Sequence, residues 1–156
     1  MTSVGELVFS KCMYLTSVTI SEGVPSIGNG MFSDCLNLTS VTVPDGVTSI
    51  GKKAFAGCYC LTSVTLPDSV VSIGDNAFYG CFGLTGVTFP NGVTSIGRGA
   101  FQSCRELASV IIPASVTDIG EDAFLGCEHI VISVIKGSYA EQYAQENGIA
   151  YVLKEG

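Results

Sequence analysis

The chain has 156 residues, of which 47% are apolar and 13% charged, with a formal net charge of −7. That length fits one domain with a sizeable core, and no apolar run approaches the roughly 20 residues needed to span a bilayer. The acidic balance and the scattered basic residues, of which only Lys52 and Lys53 are adjacent, argue against nucleic acid as a partner, because phosphate binding needs clustered cations.

The chain opens at Ser3-Val4-Gly5, part-way through a unit that returns throughout the sequence. Cys12, Cys35, Cys58, Cys81, Cys104 and Cys127 are spaced 23 residues apart, and Phe9, Leu15 and Gly5 begin ladders with the same period. Such self-similarity predicts a solenoid, an α/β repeat fold in a single domain spanning 1–156. The expected divisions are a partial repeat 3–14, full repeats 15–37, 38–60, 61–83, 84–106 and 107–129, and a C-terminal cap 130–156. Nothing at the N-terminus reads as a secretory signal, so a secreted parent would carry its signal outside this sequence.

The unit from Leu61 to Gly83 shows the expected elements in order. Leu61, Val64 and Leu66 alternate with Ser63 and Thr65 as a half-buried strand, which Pro67 closes because it lacks the N–H that a ladder needs. A second apolar alternation, Val70 and Ile73, stops at Gly74, where a positive φ or a close backbone approach is expected. The segment 75–78 is too short for an independent helix and is expected to form one helical or 3-10 turn that plants Phe78 inward. One unit alone cannot offset its ordering entropy, so stability must come from stacking.

The last turn breaks the register. Continuing the repeat unchanged would bury Ser133, whereas a one-residue deletion turns Ile130, Ile132 and Val134 inward. Ser138 and Glu141 form a capping box for a helix that Asn147-Gly148 ends, and Ile149, Tyr151 and Leu153 alternate as a final strand. At the other end, Phe9, Cys12 and the strand from Leu15 to Ile20 have no preceding turn, and a homodimer through that edge is expected of the fragment.

The chemistry-bearing residues are sparse. One ladder cysteine per turn, without two close pairs or partner histidines, suits neither zinc nor disulfides, and the ladder is expected to be buried and reduced. Cys60 lies off the ladder, at the position of Asn37, Gly83 and Glu106, and is the thiol expected to react. His129 is the single histidine and has no second base or nucleophile arranged around it, so no enzyme, metal or cofactor is expected.

These units resemble the BspA-like type of leucine-rich repeat. The shared features are the 23-residue period, a proline after the first strand, an "SIG" step, then "AF" and "C" before the next leucine. The resemblance runs from Ser3 to about Gly148, with Val8 and Met31 replacing the alanine before phenylalanine and Ile111 replacing a strand threonine. It implies a right-handed leucine-rich-repeat solenoid with a parallel sheet on its concave side, short helical or 3-10 turns and a helix-strand cap. "GSYAEQYA" is similar to the helix that commonly ends such arrays, and implies that the chain includes the end of its repeat region. The resemblance also implies a microbial cell-surface or secreted adhesin that binds host matrix or neighbouring-cell proteins without inserting into a membrane.

Two surfaces are candidates for binding. One is the concave hydroxyl face of Ser17, Thr19, Ser40, Thr42, Ser63, Thr65, Thr88 and Ser109, interrupted by Gly86 and Ile111. The other is a stripe after the ladder cysteines, Met13, Leu36, Tyr59 and Phe82, which changes to Arg105 and Glu128. A structural spacer without a ligand is the alternative function. An ice-binding threonine face is a remote one, disfavoured by curvature and by the interruptions.

Overall fold

A computed structural model describes residues 6–155. The alternation and proline stops produce a three-residue strand in each turn: β1 (Ser17–Thr19), β3 (Ser40–Thr42), β5 (Ser63–Thr65), β7 (Gly86–Thr88) and β9 (Ser109–Ile111). A two-residue strand follows each: β2 (Ser26–Ile27), β4 (Ser49–Ile50), β6 (Ser72–Ile73), β8 (Ser95–Ile96) and β10 (Asp118–Ile119). The C-terminal part adds β11 (Val131–Ile135), α1 (Tyr139–Glu146) and β12 (Ala150–Lys154).

Stacking sorts these strands into two parallel sheets, one ordered β1-β3-β5-β7-β9-β11-β12 and one ordered β2-β4-β6-β8-β10. Their register is one repeat, with Val64 beside Val87 and Ile73 beside Ile96. The result is a right-handed solenoid with the longer sheet on its concave side, the hand that parallel crossovers take.

The core lies between the two sheets and the turn-rich third side. Leu61, Val64, Val70, Ile73, Phe78 and Cys81 are buried in one turn, and their equivalents are buried above and below. Phe9, Phe32, Phe55, Phe78, Phe101 and Phe124 form a continuous stack with ring centroids 5.1–5.5 Å apart. Gly74 is required by a close approach and not by a positive φ: a Cβ there would sit 2.7 Å from the Lys52 nitrogen.

The third side differs from a helical turn. Ala77, Tyr79 and Cys81 donate backbone hydrogen bonds to residues three earlier, as in a 3-10 turn, but Asn76 has φ 54° and no helix runs on. The alternate N–H groups of Asn76, Phe78 and Gly80 donate to Arg98, Ala100 and Gln102 of the next turn. The arc therefore serves both its own turn and the stack.

At the C-terminal end the expected deletion is present. Ile132 pairs with Val110 and Ser133 with Ile111, so Ile130, Ile132 and Val134 are buried and Ser133 lies on the outer face. Ser138 caps α1 by accepting from the Glu141 N–H, and the Glu141 carboxylate accepts from the Gly137 N–H. Ala140, Tyr143 and Ala144 cover the last phenylalanine, with Tyr143 edge-on to Phe124. The final strand departs from its alternation: Val152 and Leu153 are both about half exposed, because β12 is the edge strand of its sheet among the described residues. At the opposite edge, Cys12, Leu15, Val18 and Ile20 are only partly buried and Phe9 is 41% exposed.

Candidate interaction surfaces

The repeat unit contains three hydroxyl positions along its first strand, and the structure gives them different tasks. The first belongs to the scaffold: the hydroxyls of Thr39, Thr62 and Thr85 donate to the carbonyls of Thr16, Thr39 and Thr62 one turn back. The other two face outward. Ser17, Thr19, Ser40, Thr42, Ser63, Thr65, Thr88 and Ser109 are exposed, and among the described residues their side chains have no hydrogen-bond partner. Parallel registry places them in two rows about 4.8 Å from turn to turn.

Gly86 interrupts the serine row with open space where a side chain would stand. A shallow notch of about 350 Å³ forms there, lined by Ser63, Thr65, Thr88, Ser109 and Ile111. Beside it the surface changes character. Ile111 is 54% exposed, and Val131 and Val152 are exposed on the same face of β11 and β12, with Ser133 lying between Ile111 and Val152. Val131 and Val152 were not singled out from sequence, although the outward phase of β11 would have pointed to Val131.

The second candidate surface runs along the other side. Met13 and Tyr59 are exposed, while Leu36 and Phe82 are half-buried. Tyr59 stacks on Phe82 with centroids 4.7 Å apart, and the Arg105 guanidinium lies 4.9 Å from the Phe82 ring centre. The rings thus shield each other's faces and leave their edges to solvent.

The thiols divide by exposure. Cys35, Cys58, Cys81, Cys104 and Cys127 are buried and unbonded to one another, whereas Cys60 is exposed. Each buried thiol donates to a phenylalanine carbonyl of the preceding turn, Cys58 to Phe32 and Cys81 to Phe55, both at 3.2 Å. Burial, reinforced by the neighbouring ladder thiol, pushes Cys58 up to about 12, so the ladder is unsuited to thiolate chemistry. His129 is exposed, and no group of three His, Cys, Asp or Glu side chains capable of holding a metal is found among the described residues. No helix there is long and apolar enough to cross a membrane.

The profile described as "BspA type Leucine rich repeat region" matches residues 2–132 in six copies. The chain belongs to the BspA-type leucine-rich repeat family. Among solved structures, it is similar to a leucine-rich repeat protein of T. pallidum, at 34% identity and a TM-score of 0.74, over 76% of this chain and 58% of that one. A leucine-rich repeat protein of Eubacterium ventriosum is 35% identical with a TM-score of 0.68, over 78% of this chain and 32% of that one. The pneumococcal vaccine antigen PcpA, 21% identical with a TM-score of 0.74, shares the fold over 97% of this chain and 38% of its own. The BspA-type repeats here therefore span little more than half of the T. pallidum protein and smaller parts of the others. Comparison with curated proteins returns no match.

Proposed function

We propose that this chain is a non-enzymatic protein-binding module of a microbial surface or secreted adhesin that recognises host matrix or neighbouring-cell proteins. The observation carrying this reading is the concave sheet, where hydroxyls without partners border a notch at Gly86 and the exposed apolar side chains of Ile111, Val131 and Val152. Protein interfaces combine an apolar centre with a polar rim, and this face offers both on a rigid backbone. Membership of the BspA-type family supports the extracellular setting.

The test is capture of host extracellular-matrix and mucosal proteins by the immobilised chain, compared with Thr65→Lys and Ile111→Glu variants. Both substitutions lie on exposed positions and should leave the far-ultraviolet circular dichroism unchanged. Binding through the concave face predicts about tenfold weaker capture, the effect of one central interface residue. Equal capture by wild type and variants would assign recognition elsewhere, and capture of nothing would leave the spacer reading.

A further inference from the structure

Three asparagines of this chain are followed by glycine: Asn29-Gly30, Asn91-Gly92 and Asn147-Gly148. All three are exposed, so access to water does not distinguish them. Hydrogen bonding does. The Asn29 amide donates to the Glu6 carboxylate at 2.7 Å and accepts from the Lys52 N–H at 2.8 Å, and the Gly30 N–H donates to the Lys52 carbonyl at 2.8 Å. Asn147 sits at the C-cap of α1, where its side chain donates to the Tyr143 carbonyl at 2.9 Å and the Gly148 N–H donates to the Gln145 carbonyl.

Asn91-Gly92 is held by neither kind of bond. The pair forms the centre of a β-turn in which the Val93 N–H donates to the Pro90 carbonyl at 3.2 Å. Among the described residues, the Asn91 side chain and the Gly92 N–H have no hydrogen-bond partner. Two turns earlier the equivalent Gly46 N–H donates to the Ser69 hydroxyl at 3.0 Å, but no such bond joins Gly92 to Ser115, whose hydroxyl donates to the Val93 carbonyl. The side-chain amide therefore stands beside a backbone nitrogen that no other described group engages, and glycine places no Cβ in the way.

We propose that Asn91 is a self-modifying site, at which the folded chain loses ammonia and becomes a mixture of aspartate and isoaspartate. The Gly92 nitrogen attacks the Asn91 Cγ. As that C–N bond forms, the bond to the side-chain nitrogen breaks, and the Gly92 N–H proton passes through water to the departing ammonia. The resulting succinimide ring takes up one water at either carbonyl. Opening one way gives aspartate, and opening the other runs the backbone through the side-chain carbons as isoaspartate. The repeat already accommodates the first product, since Asp45 and Asp68 hold exposed carboxylates at the equivalent position. Asn91 also lines a cleft of about 310 Å³ with Ile111 and Lys154, so the reaction brings a negative charge beside an exposed apolar side chain of the concave face. This chemistry goes beyond the protein-binding reading and stands without it.

Peptide mapping by mass spectrometry tests it on the full chain, incubated folded at mildly alkaline pH in heavy-oxygen water and, in parallel, unfolded in guanidinium chloride. In the folded chain the Asn91 peptide should convert first, several-fold ahead of the peptides carrying Asn29 and Asn147. In the unfolded chain the three should convert at similar rates, because each is then an unrestrained asparagine before glycine. Heavy oxygen in the new carboxylate dates each event to the incubation, and an Asn91→Asp variant supplies the reference for the aspartyl product. Conversion should slow at neutral pH, since the backbone nitrogen attacks in its deprotonated form. Asn29 or Asn147 converting as fast as Asn91 in the folded chain would overturn the proposal, as would a folded Asn91 that is still intact once the unfolded sample has converted.

Discussion

The Cys58 thiol donates to a carbonyl 26 residues earlier, and the same bond recurs along the ladder. A thiolate could not make it. Burial pushes Cys127 up to about 11 and Cys58 up to about 12, from an ordinary value of 9.0. The folded chain thus retains protons that the unfolded chain releases. The stability the neutral ladder contributes is present below pH 9.0 and declines as pH rises toward 11 and 12, at about 1.4 kcal/mol per pH unit for each thiol ionised only on unfolding. Melting temperature should therefore fall between pH 9 and 11, with a smaller fall after Cys81→Ala. Brief alkylation at neutral pH should label Cys60 well before Cys81 and Cys104; rapid labelling of those two would show that the ladder opens.

The strands and ladders were legible because their side chains serve one purpose in every turn: Leu61, Val64 and Phe78 must fill the same space as Leu84, Val87 and Phe101. The turn arc was less legible. Its two left-handed positions are held by Leu7, Gly30, Lys53, Asn76, Gly99 and Asp122 and by Lys11, Asp34, Gly57, Gly80, Ser103 and Gly126, so glycine marks them in some turns only and the signal does not recur at the period. Strand β12 was read in its correct place but not its exposure, since alternation at Tyr151 and Leu153 cannot say whether a neighbour covers them. The groove on the turn side lined by Lys11, Lys53, Tyr79 and Arg105 was invisible as a unit because its cations occupy three different repeat positions and none recurs. Within the phenylalanine element, Phe78 contacts stacked rings on both sides. Phe78→Ala should therefore cost about 3–5 kcal/mol by chemical denaturation. Phe9→Ala should cost less, because that ring is 41% exposed and stacks on one neighbour.

For the whole molecule, protection is uneven along the axis. The centre is fully buried, while Val18 and Cys12 are only partly so and β1 presents an unpaired edge. We expect two chains of this sequence to pair through that edge about a two-fold axis. Light scattering at micromolar concentration should give twice the mass of 16.2 kDa. A monomeric mass with fast amide exchange from Leu15 to Ile20 would count against it.

The backbone hydrogen bonds between turns also determine how the protein bears load. They run along the solenoid axis, so a pull from end to end meets them one turn at a time and not all at once. Each detached turn frees 23 residues, or about 80 Å of extended chain. Stretched between two tethers, the module should yield in a staircase of near-equal steps, lengthening under flow while its remaining turns keep their shape.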